Sequence, residues 1–270
     1  MSLQLVTGKD YLSFSAVKNY ANCGEQFRLE RIVGIPTAGS WALFGGKVFH
    51  TASEYLDRGT HLTIELALED AWQAEEKDLD LDALRPGGRG KVEDGPWWKS
   101  HLSEYLQRYV DFRQSRFAEG WKWLDLGSGT PGIEFGVWGE IGGVKVVGYV
   151  DRAMVSPTGQ IFLIDLKTGS YKQSREQLDV YAELMRQHYK ISPDFGQYYM
   201  ARKAEITETA AFDQSPTGLA YWWADAAKGI SAEVFIPNPN PMCSSCQVQP
   251  YCRLKGDPGS IAQFDMKKGK

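Results

Sequence analysis

Large apolar residues recur at near-helical spacing through SFSAVKNYANCGEQFRLERI, residues 13–32, where Val17, Tyr20 and Phe27 follow a serine able to cap a helix. The spacing predicts one continuous helix carrying Cys23. A second helix is predicted over GKVFHTASEYLDRG, residues 46–59, in which His50 and Glu54 lie four apart and share a face. Residues 63–79 and 97–118 also carry helical periodicity, and the Pro-, Gly- and charge-rich DLDALRPGGRGKVEDGP between them predicts a mobile loop. From Gly132 the pattern changes to two-residue alternation. Strands are predicted in GIEFGVWGE, VKVVGYVDRAMV and QIFLIDLKTG, then a helix over 174–190, strands in FGQYYMAR and ITETAAF, and a last helix over 216–228. This order predicts an α/β fold, a mixed sheet flanked by helices.

The second and third strands are joined by Ser156-Pro157-Thr158-Gly159, with Pro where a type I turn fixes φ and Gly where the chain must turn left-handed. A glycine-bulge hairpin over these residues sets Ser156 opposite Gln160, and counting outward sets Asp151 opposite Asp165. Opposed carboxylates with Cβ atoms about 5 Å apart destabilise a sheet unless something neutralises them, and a divalent cation does so. Lys167 falls on the same face as Asp165, while the Leu166 side chain points away and leaves its carbonyl at that edge. An Asp–Lys ion pair at a strand end accounts for Asp165-Leu166-Lys167 equally simply, and a slip of one residue would send Asp151 to the other face.

Gly-Tyr-Val-Asp151, then Asp165-Leu166-Lys167-Thr-Gly, then Gln177-x-x-x-Tyr181 on the following helix resembles the motif order of RecB-like nucleases of the PD-(D/E)XK superfamily. His50, in Gly-Lys-Val-Phe-His, fits the histidine that family commonly carries on an early helix. The resemblance spans residues 11–255 and implies a restriction-endonuclease-like core in a single nuclease domain over 1–270. Within it the parts are an N-terminal helical region (11–130), the nuclease core (131–235), a cysteine-rich segment (236–256) and a basic tail (257–270). It implies that His50, Asp151, Asp165 and the Leu166 carbonyl ligate Mg²⁺ or Mn²⁺ and that Lys167 orients or activates the attacking water. Gln177 and Tyr181 would then lie near the scissile phosphate. Many relatives have Glu where this chain has Asp165, which bears on metal preference. Ser174 to Gln177 also reads as a capping box, and Tyr181 with Leu178 and Met185 as core.

Cys243, Cys246 and Cys252 form a C-x₂-C-x₅-C array in a Pro-rich segment, and the remaining cysteine, Cys23, lies 220 positions before Cys243. Thiolates in this array suit a 4Fe–4S cluster or tetrahedral zinc. One early cysteine and three late ones resemble the CRISPR-associated iron–sulfur exonucleases and AddB-type nuclease domains, which implies a cluster that staples the two ends together. No apolar run is long enough to span a bilayer, and the first residues show no secretory pattern, so a cytoplasmic setting is expected, in which metal ligation is favoured over disulfides.

Net charge is −4 over 270 residues, so any DNA contact must be local. Lys172, Arg175, Arg186 and Lys190 around one helix, and Lys267, Lys268 and Lys270 in the tail, are candidates, each equally readable as solvated surface. The nine tryptophans, including Trp97-Trp98 and Trp222-Trp223, suit core packing or base stacking. The resemblance implies a metal-dependent exonuclease acting on single-stranded or frayed DNA ends in recombination, phage DNA metabolism or CRISPR spacer capture. The competing reading is a DNA-binding module of the same fold that does not cleave. With no G-x-x-x-x-G-K-[ST] motif, unwinding would fall to a separate helicase partner.

Overall fold

The computed structural model describes residues 2–169, 175–207, 209–212 and 217–260, so Lys172, Ser174, Lys267, Lys268 and Lys270 lie outside it. The chain begins with α1 (Leu3–Thr7), β1 (Tyr11–Ser13) and α2 (Phe14–Asn22), the last capped by Ser13 Oγ accepting from Ala16 N at 3.3 Å. The single helix expected over 13–32 is broken at Cys23. That residue is extended (φ −162°), closing α2 and opening α3 (Gly24–Phe27), which runs into a π-helical turn at Arg28–Ile32. Tertiary packing is tight at this break: a Cβ on Gly24 would lie 2.8 Å from Ile236 N, so the close approach of that backbone favours glycine.

Next come α4 (Trp41–Asp57), α5 (Ile64–Glu76) and α6 (Gly95–Ala118), capped by Ser40, Thr63 and Asp94. The expected loop over 80–96 is not loose. Arg85 exchanges backbone bonds with Gly39 and Trp41 at 3.1 and 3.0 Å, Gly87 pairs with Glu93, and Glu93 takes a two-pronged ion pair from Arg202 at 2.7 and 2.8 Å.

The remaining elements are β2 (Lys122–Trp123), β3 (Ile133–Ile141), β4 (Val144–Val155), β5 (Ile161–Lys167), α7 (Glu176–His188), β6 (Phe195–Met200), β7 (Glu205–Ile206), β8 (Ala210–Ala211) and α8 (Thr217–Ser231). The sheet is mixed, in the order β1-β4-β5-β6-β7, with β2 and β3 also pairing β4 and β8 pairing β6. Pairs β1–β4 and β5–β6 are parallel, whereas β4–β5, β6–β7 and β6–β8 are antiparallel.

By contacts the chain divides into two units. One comprises Met1–Ala38, Trp138–Gly148 and Ser215–Lys270; the other comprises Gly39–Val137 and Tyr149–Gln214. In the first, Phe14 of α2 meets Trp222 and Trp223 of α8 with ring centroids 6.0 and 6.4 Å apart, and Phe27 stacks on Phe235 at 6.3 Å. In the second, Phe44, Val48, Phe49 and Ala52 form a helical stripe that packs with Trp98, Leu102 and Leu106 of α6 and with Ile164 and Leu166 of β5.

Gly45 stands where α4 crosses α6, and a Cβ there would lie 2.1 Å from the ring of fully buried Trp98. Alanine would gain about 1 kcal/mol of helix propensity. Overpacking against a ring with nowhere to retreat costs about 1–3 kcal/mol, so Gly45→Ala should lower the denaturant midpoint with unchanged m-value.

Candidate functional site

The Pro157-Thr158-Gly159 turn closes with Gly159 at φ +85°, its N–H donating to Ser156 O at 2.9 Å, while Ser156 N donates to Gln160 O at 2.8 Å. The ladder above it pairs Val155 with Ile161 and continues to Arg152 with Ile164, the register that the turn chemistry demands. One step further, Asp151 takes over from the backbone: its Oδ2 accepts from Leu166 N at 2.7 Å. Both aspartates are buried, and Asp165 meets Lys167 Nζ at 2.7 Å.

Across from this strand end α4 presents His50, whose Nε2 lies 3.1 Å from the Leu166 carbonyl and whose Nδ1 lies 3.3 Å from Glu134 Oε1 and 3.7 Å from Asp151 Oδ1. Both ring nitrogens thus face acceptors, the pattern of a doubly protonated imidazolium. Burial alone would drive the proton off. The carboxylates of Asp151, Glu134 and Asp165 outweigh burial and push His50 up to about 9. Asp151 is pushed up to about 7 by burial and by Asp165, with His50 opposing. Burial likewise raises Asp165 against the pull of Lys167, and Lys167, despite burial, is held protonated by Asp165 and Asp151.

One ligand atom each from His50, Glu134 and Asp151 lie within 4.8 Å of one another, the only such group of three His, Cys, Asp or Glu side chains among the described residues. Asp165 stands beside this trio with its charge shared by Lys167. Glu134 was not singled out from the sequence. Its signal is faint: one acid at the start of an apolar strand, held at φ +42°, a left-handed conformation that non-glycine residues seldom adopt.

Three carboxylates with one imidazole and a nearby carbonyl form a hard donor set suited to Mg²⁺ or Mn²⁺. A group held up to about 9 against an ordinary 6.5 stabilises the fold fully below pH 6.5 and loses that contribution as pH rises through 9. The metal-free protein should therefore melt earlier at pH 9 than at pH 6.5. Added Mn²⁺ should raise the melting temperature more at the higher pH, which a thermal-shift series checks.

Gln177 Nε2 donates to Tyr181 Oη at 2.8 Å on the first turns of α7, and burial with the charges of Asp165, Asp151 and Glu134 pushes the Tyr181 hydroxyl up, placing it in the same field. Leu178 and Met185 on that helix are core. The proposed DNA-contacting cations are engaged locally: Arg175 with Asp179 at 2.9 Å and the Ala211 carbonyl, Arg186 with Glu183 at 2.8 Å, and Lys190 with the Gln187 carbonyl at 2.9 Å. Trp98 and Trp223 are fully buried, and Trp97 stacks on His101 at 3.9 Å.

Within the first unit, Cys23, Cys243, Cys246 and Cys252 line one cavity of about 670 Å³. No three of the sulfurs lie mutually within 4.8 Å among the described residues, so the thiols are not drawn together as the His50 trio is, and a bound cluster is not shown. Backbone N–H groups point at all four: Asn238 N to Cys23 at 3.5 Å, Asn240 N to Cys243 at 3.4 Å, Leu254 N to Cys252 at 3.5 Å, and Val248 N to Cys246. Asn238 and Asn240 alternate with Pro237, Pro239 and Pro241, so the donors in this stretch are confined to the residues that face sulfur.

The sequence profile of the PD-(D/E)XK nuclease superfamily matches residues 11–253. The Gene 69 protein of Mycobacterium phage L5 is 26% identical over 283 residues, covering 89% of this chain and 95% of that protein. The Gene 69 protein of Mycobacterium phage D29 is 26% identical over 268 residues, with the same 89% and 95% coverage. The crystal structure of a candidate exonuclease from Eubacterium rectale superposes with a TM-score of 0.50 at 16% identity, covering 91% of this chain and 89% of that one, a likeness of fold.

Proposed function

We propose that this chain, which belongs to the PD-(D/E)XK nuclease superfamily, is a divalent-metal-dependent DNA exonuclease that hydrolyses single-stranded or frayed ends. The observation that carries the reading is the trio of His50, Glu134 and Asp151, with ligand atoms within 4.8 Å, set beside the Asp165–Lys167 pair. These three with Asp165 and the Leu166 carbonyl would hold the ion, and the single imidazole favours Mn²⁺ over Mg²⁺. The chemistry such an ion supplies is a lowered water pKa and positive charge where the phosphate gathers negative charge.

To ligate, His50 gives up a ring proton, which the surrounding carboxylates otherwise keep in place. Lys167, held protonated by Asp165 and Asp151, donates rather than accepts, so its role is to orient the attacking water and offset phosphate charge. The Gln177–Tyr181 pair, joined at 2.8 Å, would offer two further donors near the scissile phosphate. The exonuclease and end preferences follow the resemblance to RecB-like enzymes. Likeness to two mycobacteriophage proteins favours phage DNA metabolism as the setting.

A cavity of about 560 Å³ opens against His50 between Leu43, Gly46, Lys47, Thr51, Glu75 and Thr168, with Lys47 Nζ 3.9 Å from Glu75 and Thr51 Oγ1 donating to Glu75 at 2.8 Å. An exposed apolar rim at Leu43 and an ammonium held only loosely by Glu75 would suit a nucleotide of the bound strand. Lys47→Glu should raise KM for DNA about tenfold and flatten its salt dependence by about one unit of slope, while leaving hydrolysis of a small aryl phosphodiester unchanged.

For the four cysteines the reading is a 4Fe–4S cluster. Zinc ribbons usually supply two local C-x-x-C pairs, whereas here the partner of the late array is one distant cysteine. N–H donors directed at every sulfur would stabilise a cluster's charge.

The test is protein purified without oxygen and incubated with end-labelled DNA and Mn²⁺, alongside Asp165→Ala and Lys167→Ala. Processive loss of label abolished by both substitutions is expected. Degradation that survives them removes the site, and DNA binding without cleavage under any divalent ion leaves the non-cleaving module.

A further inference from the structure

We propose that Arg152 is a positioning residue that holds Glu134 in the ion-binding trio; this rests on reading that trio as a metal centre. Arg152 is 1% exposed, and a buried guanidinium is tolerated only when its donors are paired. Nε donates to Asp57 Oδ2 at 2.5 Å and to Tyr109 Oη at 3.0 Å, Nη1 to Glu134 Oε1 at 2.9 Å and the Asp151 carbonyl at 2.7 Å, and Nη2 to Ser53 Oγ at 2.7 Å. One planar group thereby fixes partners on α4, α6, β3 and β4.

The charges show why Glu134 is included. Asp57 is already shared, accepting from Arg113 Nη1 at 2.7 Å and from Tyr109 Oη at 2.6 Å, so the second half of the compensation for Arg152 comes from Glu134. Glu134 Oε1 is thus gripped from behind by Arg152 and faced from the front by His50 at 3.3 Å. Its left-handed backbone, φ +42°, is strained for a non-glycine residue and persists only where its surroundings over-determine it. Arg152 supplies that determination.

His50, Ser53 and Asp57 are spaced three and four apart and share one stripe of α4. The candidate ligand on that helix and the two anchors of the guanidinium are therefore aligned along one face, and Arg152 carries the alignment across to β3. Lysine cannot replace it, having neither the planar fork nor enough donors.

The test uses Mn²⁺ alone, titrated into the full chain and followed by calorimetry and by the electron paramagnetic resonance of free Mn²⁺. Arg152→Lys and Glu134→Gln should each weaken binding by about 10- to 100-fold. In the Glu134→Gln background Arg152→Lys should change affinity less than twofold, since its effect passes through Glu134. Losses that multiply in the double variant overturn the proposal. Because Arg152→Lys could unfold the unit, Ser53→Ala, which removes the acceptor of Nη2 together with the Ser53 Oγ donation to the His50 carbonyl at 2.8 Å, is measured in parallel; an effect carried through His50 persists in the Glu134→Gln background, whereas one carried through Arg152 does not. It should weaken Mn²⁺ a few-fold in the wild-type background and leave Glu134→Gln unchanged. A folded Ser53→Ala with wild-type affinity also overturns the proposal. Wild-type protein that does not bind Mn²⁺ instead removes the metal centre itself, a distinct result.

Discussion

Asp151→Asn should abolish DNA cleavage, with a loss on the order of 10³-fold or more, while the protein stays folded. The separation of the two effects follows from the two oxygens of the side chain. Oδ2 accepts from Leu166 N at 2.7 Å, and the amide oxygen of asparagine can keep that bond, so the end of β5 stays in place. Oδ1 faces His50 at 3.7 Å, and there asparagine presents an amide N–H₂ to an imidazole and no charge to an ion. Asp151 is already pushed up to about 7 by burial and Asp165, so its ionised form is a burden on the fold. The sign follows: a raised carboxyl contributes stability below its unfolded value of 3.8 and loses it as pH rises through 7. At pH 8 without metal, Asp151→Asn should therefore melt no lower than wild type, as expected where an active-site residue is kept at the expense of stability. A variant that unfolds, or one that still cuts, contradicts this account.

If the cysteines hold the proposed cluster, Cys23→Ser has the other large expected effect: a brown chromophore should be lost, the segment 236–256 should become protease-sensitive, and any Mn²⁺ binding at the His50 centre should be untouched. In the chain-entropy view a cross-link closing a loop of this length contributes about 5 kcal/mol. The forces that remain are smaller. The small core under the cysteines is Leu29, Ile35 and Val248; of its buried members the segment supplies Val248, worth about 2 kcal/mol, with half-buried Tyr251 packed against it. The pair of Arg253 with buried Glu25 spans 3.3 Å but is half-exposed on the arginine side and adds little. Iron and sulfide analysis with limited proteolysis checks the prediction. Colourless wild type holding stoichiometric zinc removes the cluster, and an unchanged digestion pattern removes the staple.

The strands β4 and β5 were legible because alternation gives their extent and Pro157-Thr158-Gly159 gives their register, which in turn brings Asp151 to the end of β5. The three-residue β1 and two-residue β2 were not, being too short to show a period. The break at Cys23 could not be read locally, since it lies beside a close approach of Ile236, far along the chain, to Gly24. Residues 80–96 have the composition of a free loop, yet Glu93 finds Arg202 more than a hundred positions later. Glu134 was missed for a related reason. Strand alternation locates its Cβ but says nothing of a left-handed φ, nor that Arg152, one place after a recognised aspartate, reaches back to hold it.

The stripe on α4 makes the length of that helix matter more than its outward residues. Inserting one residue between His50 and Asp57 would rotate the aspartate by about 100° about the axis and lift it by about 1.5 Å, enough to uncouple it from the imidazole. Surface loops elsewhere can grow or shrink without reaching the reaction centre. This stretch is a spacer of fixed pitch, and gaps should be absent from it in any sequence that retains the same chemistry.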